Sequence, residues 1–367
     1  MKKSGITNLP LHYGKAPRWL FNRMVKLARE ITLIMVEEFG LEAFLKRIAD
    51  PFWFQSFGCV LGFDWHSSGV TTTVCGALKE GLKDIENEIG IFIAGGKGSV
   101  SRKTPEEITI KNSSKVRTEK LIYASKIVAK VDNTAIQDGF QLYQHNFVFT
   151  RDGDWAVIQQ GMNPVSRYAR RYHWISLSVK SFTDEPHEAI CCDIKKERVL
   201  NMVARESQKA RQNVVVLSSE KPEKLIKEIK IMQRLNLPRH HYIDVRDINP
   251  DRLFKIFLKT YEKRPKDFED LLCLQGVGPK TIRALSLISE LIYGQTPSYQ
   301  DPARYTFAHG GKDGHPYPVN REVYDRSINI LGKSIQKSKA ERSEKAKALE
   351  RLFRFYSESR NSFKPDH

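Results

Sequence analysis

Apolar residues recur at helical spacing near the start of the chain. A polar turn, Asp64 to Gly69, then precedes a helix predicted from about Val70 to Leu82. Residues 89–94, IGIFIA, form an apolar run of strand length and predict a buried strand. Residues 17–48 predict one or two amphipathic helices, because their apolar positions fall three or four residues apart: Leu20, Met24, Leu27, Ile31, Ile34, Met35 and Leu41.

The pattern changes along the chain. Residues 121–131 are apolar at helical spacing, whereas residues 142–162 alternate around Arg151-Asp152-Gly153-Asp154 and predict a β-hairpin. From about residue 196 onward the pattern is predominantly helical. We therefore predict three parts: an α/β N-terminal domain (1–195), an all-α helix-hairpin-helix domain (196–330) and a basic helical tail (331–367), solvated or facing DNA rather than part of the core.

Composition narrows the class of partner. The 367 residues include 60 Lys and Arg against 43 Asp and Glu, a net charge of +17, which favours a polyanionic partner. Five cysteines without a C-x-x-C pair indicate a reducing compartment and argue against a zinc ribbon or an iron–sulfur cluster. The charges Arg23, Lys26 and Arg29 interrupt the most apolar helical stretch, and no signal peptide is evident. The predicted location is cytoplasmic.

The most informative segment is Leu274-Gln275-Gly276-Val277-Gly278-Pro279-Lys280-Thr281. Apolar helical faces precede and follow it, so it predicts two helices joined by a tight turn. Glycines allow a phosphate to approach the backbone closely, and amide groups at the second helix's N-terminus hold it while Lys280 adds charge. The alternative is an ordinary helical turn. The predicted DNA contacts here are Gly276, Val277, Gly278, Lys280 and Thr281.

This segment resembles the hairpin of DNA glycosylases of the endonuclease III class. In that family a lysine closes the motif of bifunctional members, and an aspartate follows after a helix and a turn; Lys280 and Asp301 occupy these places. The resemblance implies damaged-base excision with AP-lyase activity and no cofactor. Asp301 would stabilise the oxocarbenium-like charge, and Lys280 would attack the sugar. Alternatively, Lys280 only contacts phosphate and Asp301 starts a turn. The family's valine-aspartate-threonine-histidine setting and its cysteine cluster are missing.

Three further segments carry candidate chemistry. The glycine-rich stretch from residue 307 to 316 adds His309 and Lys312 as catalytic candidates, or is a surface turn. Residues 167–174 interleave cations with aromatic rings; on a helix, Arg167, Arg170 and Arg171 would face phosphates and Tyr172 would stack on an unpaired base. A Mg or Mn nuclease site is the alternative catalytic centre, or these groups are helix caps and buried polar residues: Asp64, His66, Asp138 and Asp154.

Several motifs together resemble one family. They are Gly62 to Gly69, Asp132-Asn133 with Gln137-Asp138-Gly139, Gln159 to Asn163, and the loop from His309 to His315. The chain is identified on them, over about residues 4–330, as a member of domain-of-unknown-function family 763. Membership implies a cytosolic protein of archaea or thermophilic bacteria but no activity. From the residues we predict a DNA repair enzyme, a glycosylase/AP lyase acting on duplex DNA with a damaged or unpaired base. The alternatives are a metal-dependent DNA nuclease and a non-catalytic DNA-binding module.

Overall fold

The fold is a mixed α/β arrangement with one antiparallel sheet between helical layers. A computed structural model describes residues 16–62, 68–112, 114–192, 195–232, 249–303 and 321–361. Its strands are β1 (Ile91–Lys97), β2 (Ile136–Gln137), β3 (Gln141–Thr150), β4 (Trp155–Asn163), β5 (Tyr168–Ile175), β6 (Ala189–Cys191) and β7 (Leu200–Asn201). Its helices are α1 (Arg18–Ala49), α2 (Pro51–Leu61), α3 (Gly69–Leu82), α4 (Glu86–Ile89), α5 (Thr104–Lys111), α6 (Lys115–Lys130), α7 (Gln208–Ser218), α8 (Pro222–Met232), α9 (Pro250–Lys263), α10 (Phe268–Cys273), α11 (Pro279–Leu291), α12 (Arg321–Lys337) and α13 (Arg342–Asn361).

Five strands form the main sheet in the order β1-β3-β4-β5-β6, and every neighbouring pair is antiparallel. The predicted hairpin is β3–β4, whose register places Phe149 opposite Trp155. Strands β2 and β7 make a separate two-stranded ladder. The helices predicted over residues 17–48 and 70–82 are α1, which is interrupted at Gly40, and α3. Periodicity over the apolar segments therefore predicted these elements correctly.

The two faces of the sheet have different cores because side chains alternate along each strand. Ile91, Ile93 and Ile158 pack with α1, α2 and α3, and we call this side the α3 face. Phe147 and Trp174 point the other way, toward α6 and the helices α7 to α11, and we call this side the α6 face. The core of the α6 face is one cluster in space, with members from Phe92 on β1 to Ile288 on α11. The C-terminal helices thus share a core with the sheet, and the division at residue 195 is not supported.

The tail also differs from its prediction. Helices α12 and α13 pack against α1 and α2, and their apolar stripe is buried in the core of the α3 face: Leu331, Ile335, Ala348 and Leu352. Basic side chains outnumber these apolar ones in the sequence, so the prediction overlooked the narrow apolar stripe. The expectation of a tail outside the core is wrong for these residues. Within the described ranges, every helix is too short or too polar to cross a lipid bilayer.

Candidate functional site

The two predicted helices and the tight turn that joins them are present in the C-terminal part of the chain. Helix α10 ends at Cys273, and α11 begins at Pro279, with Gly278 as its N-cap residue. Gly276 has a φ of 98°, a left-handed conformation that favours glycine. Gly278 has an extended φ of −144°, and a Cβ added to it would meet nothing within 4 Å. Gly276 is therefore required by the turn itself, whereas Gly278 leaves open space above the backbone.

The side chains of this hairpin divide into a buried and an exposed set. Val277 is 1% exposed and packs in the core of the α6 face, so it anchors the turn and does not contact a ligand. Thr281 is also 1% exposed. The prediction that these two side chains touch DNA is corrected, because both are buried in the protein. Lys280 is exposed in the first turn of α11, and Lys259 of α9 donates to the Gln275 carbonyl at 3.4 Å. Two lysines thus flank the turn.

Polar side chains of α6 and β2 hold the hairpin in place. Lys130 Nζ donates to the Val277 carbonyl at 2.6 Å, and burial lowers the pKa of Lys130. Gln137 donates from Nε2 to the Pro279 carbonyl at 2.9 Å and accepts from Arg283 Nε at 2.7 Å. These contacts use carbonyl groups of the hairpin and the side chain of Arg283, and none uses a backbone N–H group of the hairpin. Among the residues that the structure describes, the N–H groups of Gly276 and Gly278 have no backbone acceptor.

Asp301 lies in a buried ion cluster. Arg170 donates from Nη1 and Nη2 to its two carboxylate oxygens at 2.9 and 2.7 Å, and the amides of Lys196 and Ala303 add hydrogen bonds at 2.7 and 2.9 Å. The side chains of Arg170 and Asp301 are both 0% exposed. This carboxylate is saturated and shielded from any bound sugar. Its predicted catalytic role is corrected to a structural one.

Asp138 belongs to the same cluster. Its Oδ2 accepts from Arg170 Nη1 at 2.9 Å and from the Tyr172 hydroxyl at 2.7 Å. Burial raises the pKa of Asp138. Asp154 lies at the start of β4, whereas Arg170 pairs with Gly161 near its other end, so roughly 20 Å of strand separate the two aspartates. They cannot share a metal ion, and this part of the predicted nuclease site is wrong.

The basic aromatic segment is a strand rather than a helix. Residues 168–175 form β5 in the interior of the sheet, and Arg170, Arg171 and Tyr172 are each 0% exposed. Their side chains alternate between the two faces, so they form no common surface for phosphates or bases. This prediction is corrected because strand pairing on both sides buries the segment. Arg167 differs: it is exposed in the β4–β5 turn and has a φ of 59°.

A second polar network lies on the α6 face. The buried carboxylate of Asp132 accepts from His187 Nε2 at 2.5 Å, Gln159 Nε2 at 2.6 Å and Trp174 Nε1 at 2.9 Å. Gln159 Oε1 is 2.7 Å from His145 Nδ1. Because an amide oxygen only accepts, the ring proton of His145 is on Nδ1. Burial lowers the pKa of His145 and favours this neutral form.

The network on the α3 face is centred on Arg171. Its guanidinium donates to Gln55 Oε1 from both Nη atoms at 3.1 Å, to His173 Nε2 from Nε at 2.9 Å and to Thr71 Oγ1 at 3.4 Å. The Thr71 hydroxyl in turn donates to Gln160 Oε1 at 2.5 Å. Burial and the adjacent Arg171 charge hold the pKa of His173 well below its usual value. All these partners of Arg171 are neutral.

Four predicted site residues lie outside the described residues: Asp64, His66, His309 and Lys312. Within the described part of the chain, no group of three or more His, Cys, Asp or Glu side chains is placed to hold a metal ion. The sequence predictions omitted His187 and Gln55, which the structure brings together with Asp132 and Arg171. The signal that could have found them is Gln159-Gln160, two amides in the middle of an otherwise apolar strand.

The fold is mixed α/β, with the helix pair α10–α11 packed in the same core as one face of an antiparallel sheet. The sequence profile of the family described as Protein of unknown function (DUF763) matches residues 5–319. The chain belongs to this family. It matches no curated protein and no solved structure.

Proposed function

We propose that this protein binds DNA through the phosphate backbone and uses the hairpin from Gln275 to Lys280 for that contact. The observation that carries the proposal is the pair of unsatisfied N–H groups at Gly276 and Gly278 within the described residues, beside open space above Gly278. Backbone amides at a helix N-terminus bind phosphate oxygens, and the helix dipole favours negative charge there. Contacts of this kind position a protein on DNA without selecting a sequence.

Charge around the hairpin supports the same ligand. Lys259 and Lys280 flank the turn, and the chain as a whole carries a net charge of +17. Gln137 contacts the hairpin, and Gly139 follows it two residues later. Gly139 lies beside the side chains of Lys196 and Asn163. Asn163 begins the β4–β5 turn, which also contains Arg167. A DNA backbone crossing the hairpin would therefore meet further basic residues at this end of the sheet.

Base excision by Asp301 and Lys280 is not part of the proposal. A glycosylase needs a carboxylate beside the sugar, and the Asp301 carboxylate is 0% exposed and bound by Arg170. Exposing it would break its buried ion pair with Arg170, at a considerable energetic cost. DNA binding uses the hairpin glycines and Lys280, none of which is buried.

The test is fluorescence anisotropy with a labelled undamaged duplex. Gly278→Glu places a negative charge where the phosphate would lie, and the extended φ of Gly278 accepts a side chain without strain. We expect at least about tenfold weaker binding, since a charge-assisted contact to phosphate is lost and repulsion replaces it. Gly276→Val is a poor test, because the left-handed φ at Gly276 would strain the fold.

The matched control is Gln212→Glu on α7. Gln212 is exposed and lines a depression with Gln295, which lies beyond the C-terminal end of α11. This variant changes net charge by the same amount but at the opposite end of α11 from the hairpin. Equal weakening in both variants would indicate long-range charge alone. Unchanged binding by Gly278→Glu would refute the use of the hairpin.

A further inference from the structure

Arg171 is a fully buried positive charge whose partners are all neutral. Its hydrogen bonds go to Gln55, His173 and Thr71, and its guanidinium lies 4.8 Å from the centroid of the Phe54 ring. Cys75 and Cys191 lie nearby, but burial raises the pKa of each thiol to about 12, so both are uncharged at neutral pH. In the described residues, no carboxylate makes a hydrogen bond or ion pair with Arg171.

Asp50 is an acidic residue on this side of the sheet, near Cys191. Its carboxylate caps α2 by accepting from the amides of Phe52 and Trp53 at 2.9 and 3.2 Å. It makes no hydrogen bond to Arg171. A buried charge without a counter-charge is costly, and proteins normally pair it. An anion that binds from outside the chain would supply the missing counter-charge of Arg171.

A second observation concerns Gln144, which lies two strands from Arg171 in the same row of the sheet. The row runs Lys97, Gln144, Gln160, Arg171, Cys191 across five strands, with all side chains on the α3 face. Gln144 is 2% exposed, and its Nε2 donates to the Thr71 carbonyl at 3.4 Å, yet its Oε1 has no hydrogen-bond partner. This buried acceptor indicates a ligand that donates a hydrogen bond.

The row reaches solvent at the β1 end. Lys97 is exposed, and its Nζ lies 5.8 Å from the centroid of the Tyr143 ring. The Tyr143 hydroxyl is hydrogen-bonded to Gln160 Nε2, and Gln160 is hydrogen-bonded to Thr71, which contacts Arg171. Gln160 also donates to the Ser68 carbonyl at the N-terminus of the fourteen-residue helix α3. A continuous polar path thus connects an exposed lysine, a helix N-terminus and the buried guanidinium.

We propose that this end of the α3 face, formed by Lys97, Tyr143, Gln144, Gln160 and Arg171, binds a phosphate group that carries a hydroxyl donor. Lys97 and the N-terminus of α3 attract the anion, and Gln144 Oε1 accepts from its P–OH group. Arg171 supplies the opposite charge through a low-dielectric interior. The site lies on the opposite face of the sheet from the helices that carry the hairpin, so it stands independently of the proposed DNA contact.

Inorganic phosphate is the first probe, measured as the melting temperature of the full chain at constant ionic strength with chloride as the balancing anion. Phosphate stabilises proteins generally by exclusion, with an effect that grows steadily with concentration. Binding to one site instead gives a rise that follows the logarithm of concentration above Kd. We expect the second behaviour for the wild-type chain. A steady rise shared by every variant below would overturn the proposal.

Arg171→Met removes the charge and replaces the side chain with a shorter, unbranched apolar one. We expect it to abolish the site-specific rise, with affinity at least about tenfold weaker. In chloride alone the fall in melting temperature should be small, because removal of a buried charge offsets the loss of its hydrogen bonds to neutral acceptors. An intact phosphate response in this variant would refute the role of Arg171.

Lys97→Gln keeps the test decisive if Arg171→Met does not fold, because Lys97 is exposed and its loss does not disturb the core. We expect several-fold weaker phosphate binding with an unchanged melting temperature in chloride. Lys209→Gln on α7, also exposed but on the α6 face, is the matched control and should bind as the wild type does. Equal affinity in both lysine variants would contradict the proposed site.

Oligonucleotides then separate a strand end from free phosphate as the natural source. A 5′-phosphorylated oligodeoxynucleotide should bind the Gly278→Glu variant more tightly than its unphosphorylated counterpart, and Lys97→Gln should remove that difference. If inorganic phosphate binds through Arg171 and the two oligonucleotides do not differ, the ligand is a small phosphate compound and the site still stands. No response to either probe would overturn it.

Discussion

Arg170 and Arg171 are neighbours on β5, are equally buried, and have opposite electrostatic surroundings. Arg170 points to the α6 face, where it contacts the carboxylates of Asp138 and Asp301. Arg171 points to the α3 face, where its hydrogen-bond partners are uncharged groups. The first arginine joins elements that are distant in sequence and is complete within the chain. The second is built into a cluster that lacks a negative charge, so adjacent residues of one strand serve structure and ligand binding separately.

The largest expected effect is the contrast between removing the two arginines. Arg170→Met leaves two buried carboxylates without a cation, and we expect it to lower the free energy of unfolding by about 3–5 kcal/mol. Arg171→Met should lower it by less, about 1–2 kcal/mol, because it leaves only neutral acceptors without a donor and no buried charge unpaired. Urea unfolding in chloride buffer measures both. Equal destabilisation by the two substitutions would break the comparison.

A smaller loss is expected for Asp301→Asn. The asparagine retains one acceptor for Arg170, and Asp138 still supplies a carboxylate, so we expect the free energy of unfolding to fall by about 2–3 kcal/mol. Urea unfolding gives this number, and a double substitution with Arg170→Met should be less than additive because the two residues share one cluster. A variant of wild-type stability that loses base release from damaged DNA would instead restore the catalytic role.

The pH dependence of stability sharpens the comparison through His173. Its pKa is lowered in the folded chain, so the unfolded chain takes up a proton first as pH falls below about 6.5. Stability is therefore complete above that pH and falls below it by about 1.4 kcal/mol per pH unit for each such histidine, of which His145 is another. The Arg171 charge contributes to the lowered value, so Arg171→Met should make the slope shallower. Unfolding at pH 7.5 and 5.5 measures it, and an unchanged slope would contradict the coupling.

The smallest expected effects concern single basic residues of the proposed DNA surface. Lys280→Gln should weaken duplex binding by less than about tenfold and reduce the slope of log affinity against log salt by about one, as the loss of one phosphate contact requires. Arg167→Gln should act in the same direction. Lys97→Gln should leave binding of an unphosphorylated duplex unchanged, because its site is on the other face. A salt slope that falls equally in all three variants would mean that charge acts without a defined surface.

The sequence predicted the elements that obey a local period. The helices α1, α3 and α6, the β3–β4 hairpin and the α10–α11 pair follow from apolar spacing and turn residues. The sequence did not predict that β5 is a buried strand. Judged only by the residues adjacent in sequence, Arg170 and Arg171 resemble part of an exposed basic segment. Arg170 is separated from Asp138 by 32 residues and from Asp301 by 131. Only the fold brings these charges together, so burial of the cluster could not be inferred from composition or spacing.

The packing of α12 and α13 against α1 and α2 has a consequence for the order in which the chain folds. Leu331, Ile335, Ala348 and Leu352 cover apolar surface contributed by the first helices, and Arg351 donates to the Val60 carbonyl at 2.8 Å. During synthesis, the first helices leave the ribosome long before these partners are made. The N-terminal layer therefore stays uncovered until α12 and α13 have been synthesised, and a nascent chain stalled before residue 331 would present that surface to chaperones or to aggregation.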